Sequence, residues 1–390
     1  MKVVMLCKWS TDVLSGGVAV HVTNLVKELS KIEDLNLSVI SFGESSEVLY
    51  EGNTKIILIK AHKIYYLIPF LAIIKLALEV RKIKPDIIHV QGSNISPYLF
   101  YMLIVRGYKK IVTYHSYPSR ELVGQGRLKV NSLKYRFLRF IESYTAKKTD
   151  YNITVDTRLK KWIIEKFGSQ LKLKITVILN GADIDRFDYK IDHMIKKSEI
   201  NLEKKTLVIF HAKAFVPKNG QEYLIRAMPE ISRQIPNAIL VLAGDGPLKQ
   251  KMIELSDNLG VLEKIRFEGD IPNENIPNYM AAADLVVVPS VHINDLEEAS
   301  SILLVEAMAM KKPVIATGIG GLKESIVEGM NGILIPDKDP AAIARAVCDV
   351  LNDPILADKL GENAFKYVKK ERTWQKIALE TFQVYKKLVN

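Results

Sequence analysis

Glu298 and Glu306 stand eight positions apart in the run EASSILLVEAMAM, Glu298 to Met310, which leads into KKPVIAT. That succession reads as a helix, a proline stop and a buried strand. Glu306 therefore lies inside an apolar helix, with Ile302 to Val305 before it and Ala307 to Met310 after it. A carboxylate there is costly unless something pairs with it. Ser300 or Ser301 can cap this helix, leaving backbone N–H groups free at its start, through Ile302. Glu306 is too far along to close a capping box with either serine. A pair of vicinal hydroxyls, such as a ribose offers, would satisfy it bidentately; a structural salt bridge to a lysine or arginine is the plainer alternative.

Lysines and glycines recur at other strand ends. In IFHAKAFVPKNGQEYLIRAM, Lys213 and Lys218 bracket a loop before a helix that starts near Gly220. Two ammonium groups at a helix N-terminus suit a diphosphate; a solvated loop with incidental lysines is the alternative. LAGDGPLKQKM puts Gly244 and Gly246 in a second turn. FEGDIPNENIPNYM supplies a third at Gly269 and Asp270, whose backbone edges could read a nucleobase. In SGGVAVHVTNLV, Gly16 and Gly17 directly precede a helix, where backbone can approach a phosphate closely. Each turn alone is equally a simple connection. The last is not G-x-G-x-x-G, so a dinucleotide reading gains little.

These residues need a frame to hold them. Short apolar strands alternate with helical stretches along the whole chain: KVVMLC, NLSVISF, KIILIK, DIIHVQG, KIVTYHS, YNITVD and KITVILN, then KTLVIFHAK, AILVLAGDG, KIRFEGD, DLVVVPS and KPVIATG. Strands of continuous Val, Ile and Leu are buried on both faces. The expectation is an α/β protein of two doubly wound, Rossmann-like parallel sheets. The break falls near NGADIDRF. It gives an N-terminal domain over 1–185, a C-terminal domain over 186–372, and a final amphipathic helix over 373–390 that packs back on the first domain. A polar, irregular stretch is expected from the break to Lys205. Ligands of such domains bind outside the carboxyl ends of the strands, so the site is expected in the cleft the two domains form.

The 390 residues suffice for two domains of roughly 150 to 200 residues each. With 48% hydrophobic and 25% charged residues the chain is neither disordered nor fibrous. Cys7 and Cys348 lie far apart with no metal-ligand spacing, which suits a reducing cytoplasm. MKVVMLCKWS is too short for a signal peptide. The apolar segment Ile64 to Val80 is interrupted by Pro69 and Lys75, and is expected to pack on a sheet rather than span a membrane. The formal charge of +11 is lopsided: residues 1–180 carry 28 Lys+Arg against 14 Asp+Glu, and the rest 27 against 30. An anionic partner for the first half follows, unless that half is merely basic. Its best candidate is Gly126 to Lys148. There Val130, Leu133, Phe137, Ile141 and Tyr144 keep helical spacing while Lys129, Arg136 and Arg139 lie off the stripe. That pattern fits docking on an anionic membrane surface, or a core helix with a solvated basic face. Nucleic acid is the weakest partner, because no aromatic platform or known module accompanies the charge.

Taken in order, these motifs resemble the retaining nucleotide-sugar glycosyltransferases of family 4 (glycosyl transferases group 1), which have the two-Rossmann GT-B fold. The likeness covers nearly the whole chain: SGGVAVHV, VTYHSY around His115, VILNGADIDRF, KAFVPKNG, LAGDGPL, Glu298-x7-Glu306 and GIGGLKESI. It implies that Lys213 and Lys218 bind the donor diphosphate and Glu306 the ribose hydroxyls. Glu298 would contact the transferred sugar, and His115 its 6-hydroxyl or the reaction centre. Gly17 would let its loop approach the donor phosphate and the acceptor. Three departures stand out. Ala299-Ser300-Ser301 replaces the frequent glycine-aromatic-glycine and puts the sugar's fit in question. Lys213 stands for the usual arginine, which loses the planar fork, and Ala214 for the leucine after it. Asp183 to Asp185 looks like the D-x-D metal motif of the other major glycosyltransferase fold. It sits in the interdomain turn and the lysines already neutralise a diphosphate, so neither metal nor cofactor is expected.

The implied activity is hexosyl transfer from a UDP- or GDP-sugar to a glycan, lipid-linked or small-molecule acceptor, in the cytoplasm or at the inner membrane face. Retaining glycosidases use two carboxylates about 5 Å apart. Glu298 and Glu306 do not fit that scheme if one holds ribose. The resemblance implies front-face attack instead, with the leaving phosphate taking the acceptor's proton and domain closure excluding water. A nucleotide-sugar 2-epimerase shares the architecture and needs no acceptor. A non-catalytic sugar-nucleotide or glycan-binding protein would bind without turnover.

Overall fold

The computed structural model describes residues 1–9, 16–60, 69–92, 96–124, 126–294 and 296–389. The chain divides into two compact units, Met1–Asn180 with Trp374–Asn390, and Gly181–Thr373.

In the first unit, β1 (Lys2–Leu6), β2 (Asn36–Gly43), β3 (Glu47–Glu51), β4 (Thr54–Lys60), β5 (Ile87–Gln91), β6 (Lys109–Tyr114), β7 (Tyr151–Thr154) and β8 (Ile175–Val177) form one sheet. Its order is β3-β4-β2-β1-β5-β6-β7-β8, and only β3 runs antiparallel to its neighbour. Alternation along each strand feeds two cores. Val3 and Met5 of β1 meet Val22, Leu25 and Leu29 of the helix Gly17–Leu29, with Trp374, Ile377 and Tyr385 of the helix Trp374–Val389. Val4 and Leu6 face the other way, toward Leu76 and Val80 of the helix Pro69–Ile83 and Leu159 and Ile163 of the helix Thr157–Phe167. Both strand faces are buried, which is why these strands read as unbroken aliphatic runs. Burying one such side chain contributes about 1.5–3 kcal/mol, so the C-terminal helix is an integral layer of this unit. The helix Pro69–Ile83 packs on the sheet as the apolar segment predicts; residues 64–68 of that segment lie outside the described residues. Among the described residues no helix is long and apolar enough to cross a membrane.

In the second unit, β9 (Leu207–Ala212), β10 (Ala238–Ala243), β11 (Ile265–Gly269), β12 (Leu285–Val288), β13 (Val314–Thr317) and β14 (Ile333–Ile335) form an all-parallel sheet in the order β11-β10-β9-β12-β13-β14. Ile209, Leu285 and Val287 face one core, and Val208, Phe210, Val286 and Val288 the other. The order runs one way from β9 and the opposite way from β12. The carboxyl ends of β9 and β12 therefore flank a switch point, where such sheets bind ligands. In the first unit β1 holds the matching position, with β2 on one side and β5 on the other.

Four features differ from the sequence expectation. β3 and β14 escape a reading based on apolar runs: EVLYE has only Val48, Leu49 and Tyr50 between two glutamates, and ILI is only three residues long. The stretch expected to be irregular before Lys205 contains the helix His193–Glu199. The Asp192 carboxylate accepts from the N–H groups of Met194 and Ile195, and buried Lys197 pairs with Asp284 at 2.9 Å. A cap and an ion pair hold this helix, so no apolar stripe announces it. In the helix Leu133–Lys148 the buried face is Leu138, Glu142, Thr145 and Ala146, and Ile141 turns inward. The outward stripe is Leu133, Phe137, Phe140 and Tyr144, with Val130 ahead of it, all exposed. The core-helix reading thus holds for one face, and the apolar stripe lies on the other.

Candidate active site

Lys213 follows β9, and the loop beyond it is stiffened from within. Asn219 Nδ2 donates to the Ala214 carbonyl at 2.7 Å, and Gln221 Nε2 to the carbonyls of Lys213 and Ala214 at 3.2 and 2.9 Å. The helix Gln221–Gln234 then begins at Gly220 without a side-chain cap, leaving its first N–H groups open. Gly244 ends β10 with φ +116°, and a Cβ there would come within 2.5 Å of the Lys213 carbonyl. Only glycine lets the two backbones meet. Its N–H donates to the Gly269 carbonyl at 2.6 Å, joining the Gly244–Gly246 turn to that of Gly269 and exposed Asp270.

Lys213 Nζ pairs with Glu298 at 2.6 Å, with both side chains about six-sevenths enclosed. Burial lowers the lysine's pKa, and Glu298 pulls it back only in part. Burial raises that of Glu298, but the charges of Lys213 and Lys218 outweigh it and leave the carboxyl below its ordinary range. The pair is ionic, and Lys218, half-buried in the turn Pro217–Asn219, acts electrostatically on both partners.

Ser301 takes the N-cap position of the helix Ile302–Ala309, but its hydroxyl is buried and hydrogen-bonds to nothing described. Ser300 Oγ accepts from Arg372 Nη2 at 3.1 Å. Within the helix Glu306 is buried, and burial pushes its pKa up to about 8, opposed by Arg186 and reinforced by Asp183. Among the described residues no cation closes an ion pair on Glu306, so the salt-bridge alternative finds no partner. Asp183 Oδ1 closes a turn by accepting from the N–H groups of Asp185 and Arg186, both at 3.2 Å. Among the described residues no group of three or more His, Cys, Asp or Glu could hold a metal ion.

In the other unit, Gly16 caps the helix Gly17–Leu29 in extended backbone, and no described atom lies within 4 Å of where a Cβ would stand. His115 follows β6; its Nε2 bonds Gln91 Oε1 at 3.1 Å and its ring meets His21 edge-on at 4.6 Å. Enclosure, then the neighbouring His21 and His89, hold its pKa well below the usual value, so the ring is neutral at neutral pH. His21 bonds Asn180 Oδ1 through Nδ1 at 2.8 Å, and burial lowers it to about 4. His89 lies at 2.7 Å from Tyr385 Oη and 2.8 Å from Thr113 Oγ1, and burial lowers it to about 3.

The structure thus brings Lys213, Lys218 and Glu298 together, with Ser300, Ser301, Ile302, Glu306, Gly244, Gly269 and Asp270 in the same unit. Gly16, Gly17 and His115 belong to the other. Sequence reasoning singled out none of His21, His89, His211 or Arg372. Three of these are histidines inside apolar runs, a visible signal that does not separate a packed ring from a working one. His211 on β9 donates through Nδ1–H to the Val287 carbonyl at 2.8 Å, while its buried Nε2 has no partner among the described residues.

Two such doubly wound units make up a GT-B fold, and comparison with known proteins supplies the family. The profile for Glycosyl transferases group 1 matches residues 192–367, and that for Glycosyltransferase Family 4 residues 15–186. The chain belongs to the family 4, group 1 glycosyltransferases. An uncharacterised glycosyltransferase of Methanocaldococcus jannaschii is 35% identical over 60% of this chain and 59% of its own length. The GDP-mannose-dependent α-(1-6)-phosphatidylinositol monomannoside mannosyltransferase of Mycolicibacterium smegmatis is 34% identical over 46% of this chain and 48% of its own. Among solved structures, Anabaena HepE in complex with UDP-glucose superimposes with a TM-score of 0.77 over 99% of each chain, at 18% identity.

Proposed function

We propose that this chain is a retaining glycosyltransferase that moves a hexosyl group from a UDP- or GDP-sugar to a hydroxyl of a glycan, lipid-linked or small-molecule acceptor. The observation that carries it is the Lys213–Glu298 pair at the switch point, with Lys218 beside it and Glu306 buried with no ion-pair partner among the described residues. Lys213, Lys218 and the N–H groups at Ser301 and Ile302 would bind the diphosphate and stabilise it as charge develops on departure. Gly244, Gly269 and Asp270 would edge the nucleoside, and Glu306 would take its ribose hydroxyls. Glu298 would orient the sugar, with Gly16, Gly17 and neutral His115 serving sugar and acceptor. In the step itself the C1–phosphate bond breaks and the acceptor oxygen bonds C1 from the same face. The acceptor's proton passes to the departing phosphate oxygen. No metal ion or cofactor enters this scheme. The test incubates the protein with a panel of UDP- and GDP-sugars, follows nucleoside diphosphate release, and reads the anomeric configuration of any product by NMR. Release with a retained anomer is expected; no release from any donor, or an inverted product, would refute the proposal. An altered free sugar without an acceptor would mark an epimerase.

An anionic lipid surface is part of the same reading. The exposed stripe Leu133, Phe137, Phe140 and Tyr144 has Arg127, Lys129, Lys134, Arg136, Lys147 and Lys148 exposed around it, and the segment's one carboxylate, Glu142, is turned inward onto Ser119. An apolar face flanked by cations suits the bilayer interface, where each cation contributes about 1 kcal/mol near an anionic surface. Co-sedimentation with phosphatidylglycerol vesicles should be strong at low salt and lost in Phe137→Ser/Phe140→Ser. Absence of binding by the wild type would reject it.

A further inference from the structure

Arg372 is 2% exposed and closes the second unit. Its N–H donates to the Val368 carbonyl at 2.8 Å, capping the helix Pro354–Glu371, and its carbonyl accepts from Ala182 N–H at 2.8 Å. Ala182 and Thr373 form a parallel bridge, so the two segments by which the chain enters and leaves this unit are zipped together. The guanidinium donates from Nη1 to Ser325 Oγ at 3.2 Å and Tyr367 Oη at 3.0 Å, and from Nη2 to Ser300 Oγ at 3.1 Å. A planar fork fixes the angles between its acceptors, which a lysine on a flexible stem does not.

Ser300 lies between Glu298 and the helix start. The segment around it is held at two other points. Lys213 holds the Glu298 carboxylate, and the turn at Gly320 and Gly321 holds the backbone. Gly321 N–H donates to the Glu298 carbonyl at 2.9 Å, and Gly320 N–H to Glu297 Oε2 at 2.9 Å. A Cβ at Gly320 would come within 1.9 Å of that same Glu298 carbonyl, so the turn lies hard against the segment. Side chain, backbone and Ser300 hydroxyl are thus fixed separately, and the third fixing exists only because residue 300 carries a hydroxyl.

We propose that Arg372 is a positioning residue for sugar transfer: by holding Ser300 it sets the course of Glu298–Ser301, and with it the angle at which Glu298 meets the sugar. The inference rests on the transferase reading above. It separates two functions of one site. Of the groups assigned to the nucleoside diphosphate, only the Ser301 N–H lies on the segment Ser300 sets, while Lys213, Lys218, Glu306 and the Ile302 N–H lie outside it; the sugar's alignment for reaction depends on that segment directly.

The test uses Ser300→Ala, Ser300→Thr and Arg372→Lys in the full chain. UDP and GDP binding is measured by calorimetry. Turnover is measured with whichever of UDP-glucose, GDP-mannose or their congeners the wild type uses. Ser300→Ala is expected to lower kcat by about 10- to 100-fold, the scale of a misplaced reacting group. Its affinity for the nucleoside diphosphate should stay within about twofold, because uniform binding is untouched. Ser300→Thr, which keeps the hydroxyl, should recover most of the rate, and Arg372→Lys should follow Ser300→Ala. Wild-type kcat in Ser300→Ala would overturn the proposal. So would a parallel fall of kcat, nucleotide affinity and Tm, which marks a purely structural contact. A wild-type protein that binds neither UDP nor GDP and consumes no donor would overturn the transferase reading itself, before any variant is made.

Discussion

Glu306 offers a test in which stability and binding must move in opposite directions. Its carboxyl sits in an apolar helix, and burial raises its pKa from 4.5 to about 8. That change corresponds to about 5 kcal/mol between the charged and neutral forms. The folded state keeps a proton that the unfolded chain releases once the pH passes 4.5. The stability of the neutral form is therefore complete below that pH and is lost as the pH rises through about 8. Glu306→Gln keeps the shape and removes the titration. Denaturant unfolding from about pH 5 to about pH 9 should show the wild type losing up to about 5 kcal/mol relative to the variant. Binding should run the other way. Ribose hydroxyls donate to the carboxylate, so UDP or GDP should bind the wild type more tightly as the pH rises and should expel a proton on binding. The glutamine forgoes a charge-assisted pair worth about 1.5–3 kcal/mol, a loss of roughly 10- to 100-fold in affinity. Calorimetry in buffers of different ionisation enthalpy reads the proton directly. A variant whose stability keeps the wild-type pH slope, or which binds nucleotide as well as the wild type, would refute the reasoning.

Lys218→Ala should cut transfer by more than about 100-fold, the usual cost of losing a charge-stabilising donor, with little change in Tm. Lys213→Ala should instead lower stability by about 3–5 kcal/mol, because it leaves Glu298 enclosed without its partner; Lys213→Arg should restore both stability and turnover. Chemical denaturation separates the two lysines, and equal stability losses would contradict the geometry. In the first unit, His21 and His89 are held neutral with pKa values lowered from 6.5 to about 4 and about 3. The unfolded chain takes up protons below pH 6.5 that the fold excludes, so this unit should lose stability as the pH falls below that value. Replacing His89 by glutamine should flatten that acid slope, as followed by circular dichroism; an unchanged slope would reject the assignment.

The alternation of aliphatic strands with helices was enough to specify two doubly wound α/β sheets, because a strand buried on both faces must be apolar throughout. It also placed the candidate residues, since loops at strand ends carry the glycines and lysines that such sheets expose at their carboxyl edge. Elements held by something other than apolar burial stayed hidden: β3 by its hairpin pairing, and His193–Glu199 by a cap and a buried ion pair. For Leu133–Lys148 periodicity revealed a stripe but not its direction, because a helix with apolar residues on two faces has no single inward side.

Pairwise chemistry was the other thing sequence could not show. That Lys213 reaches Glu298 across 85 positions, or that Arg372 reaches Ser300 across 72, depends on which strand ends and helix caps the sheet order brings together. Hydrogen bonds and ion pairs act over a few ångströms of space and are indifferent to separation along the chain. Residue types and spacing therefore determined which chemistry this chain could carry, and the tertiary packing alone decided which groups face one another to perform it.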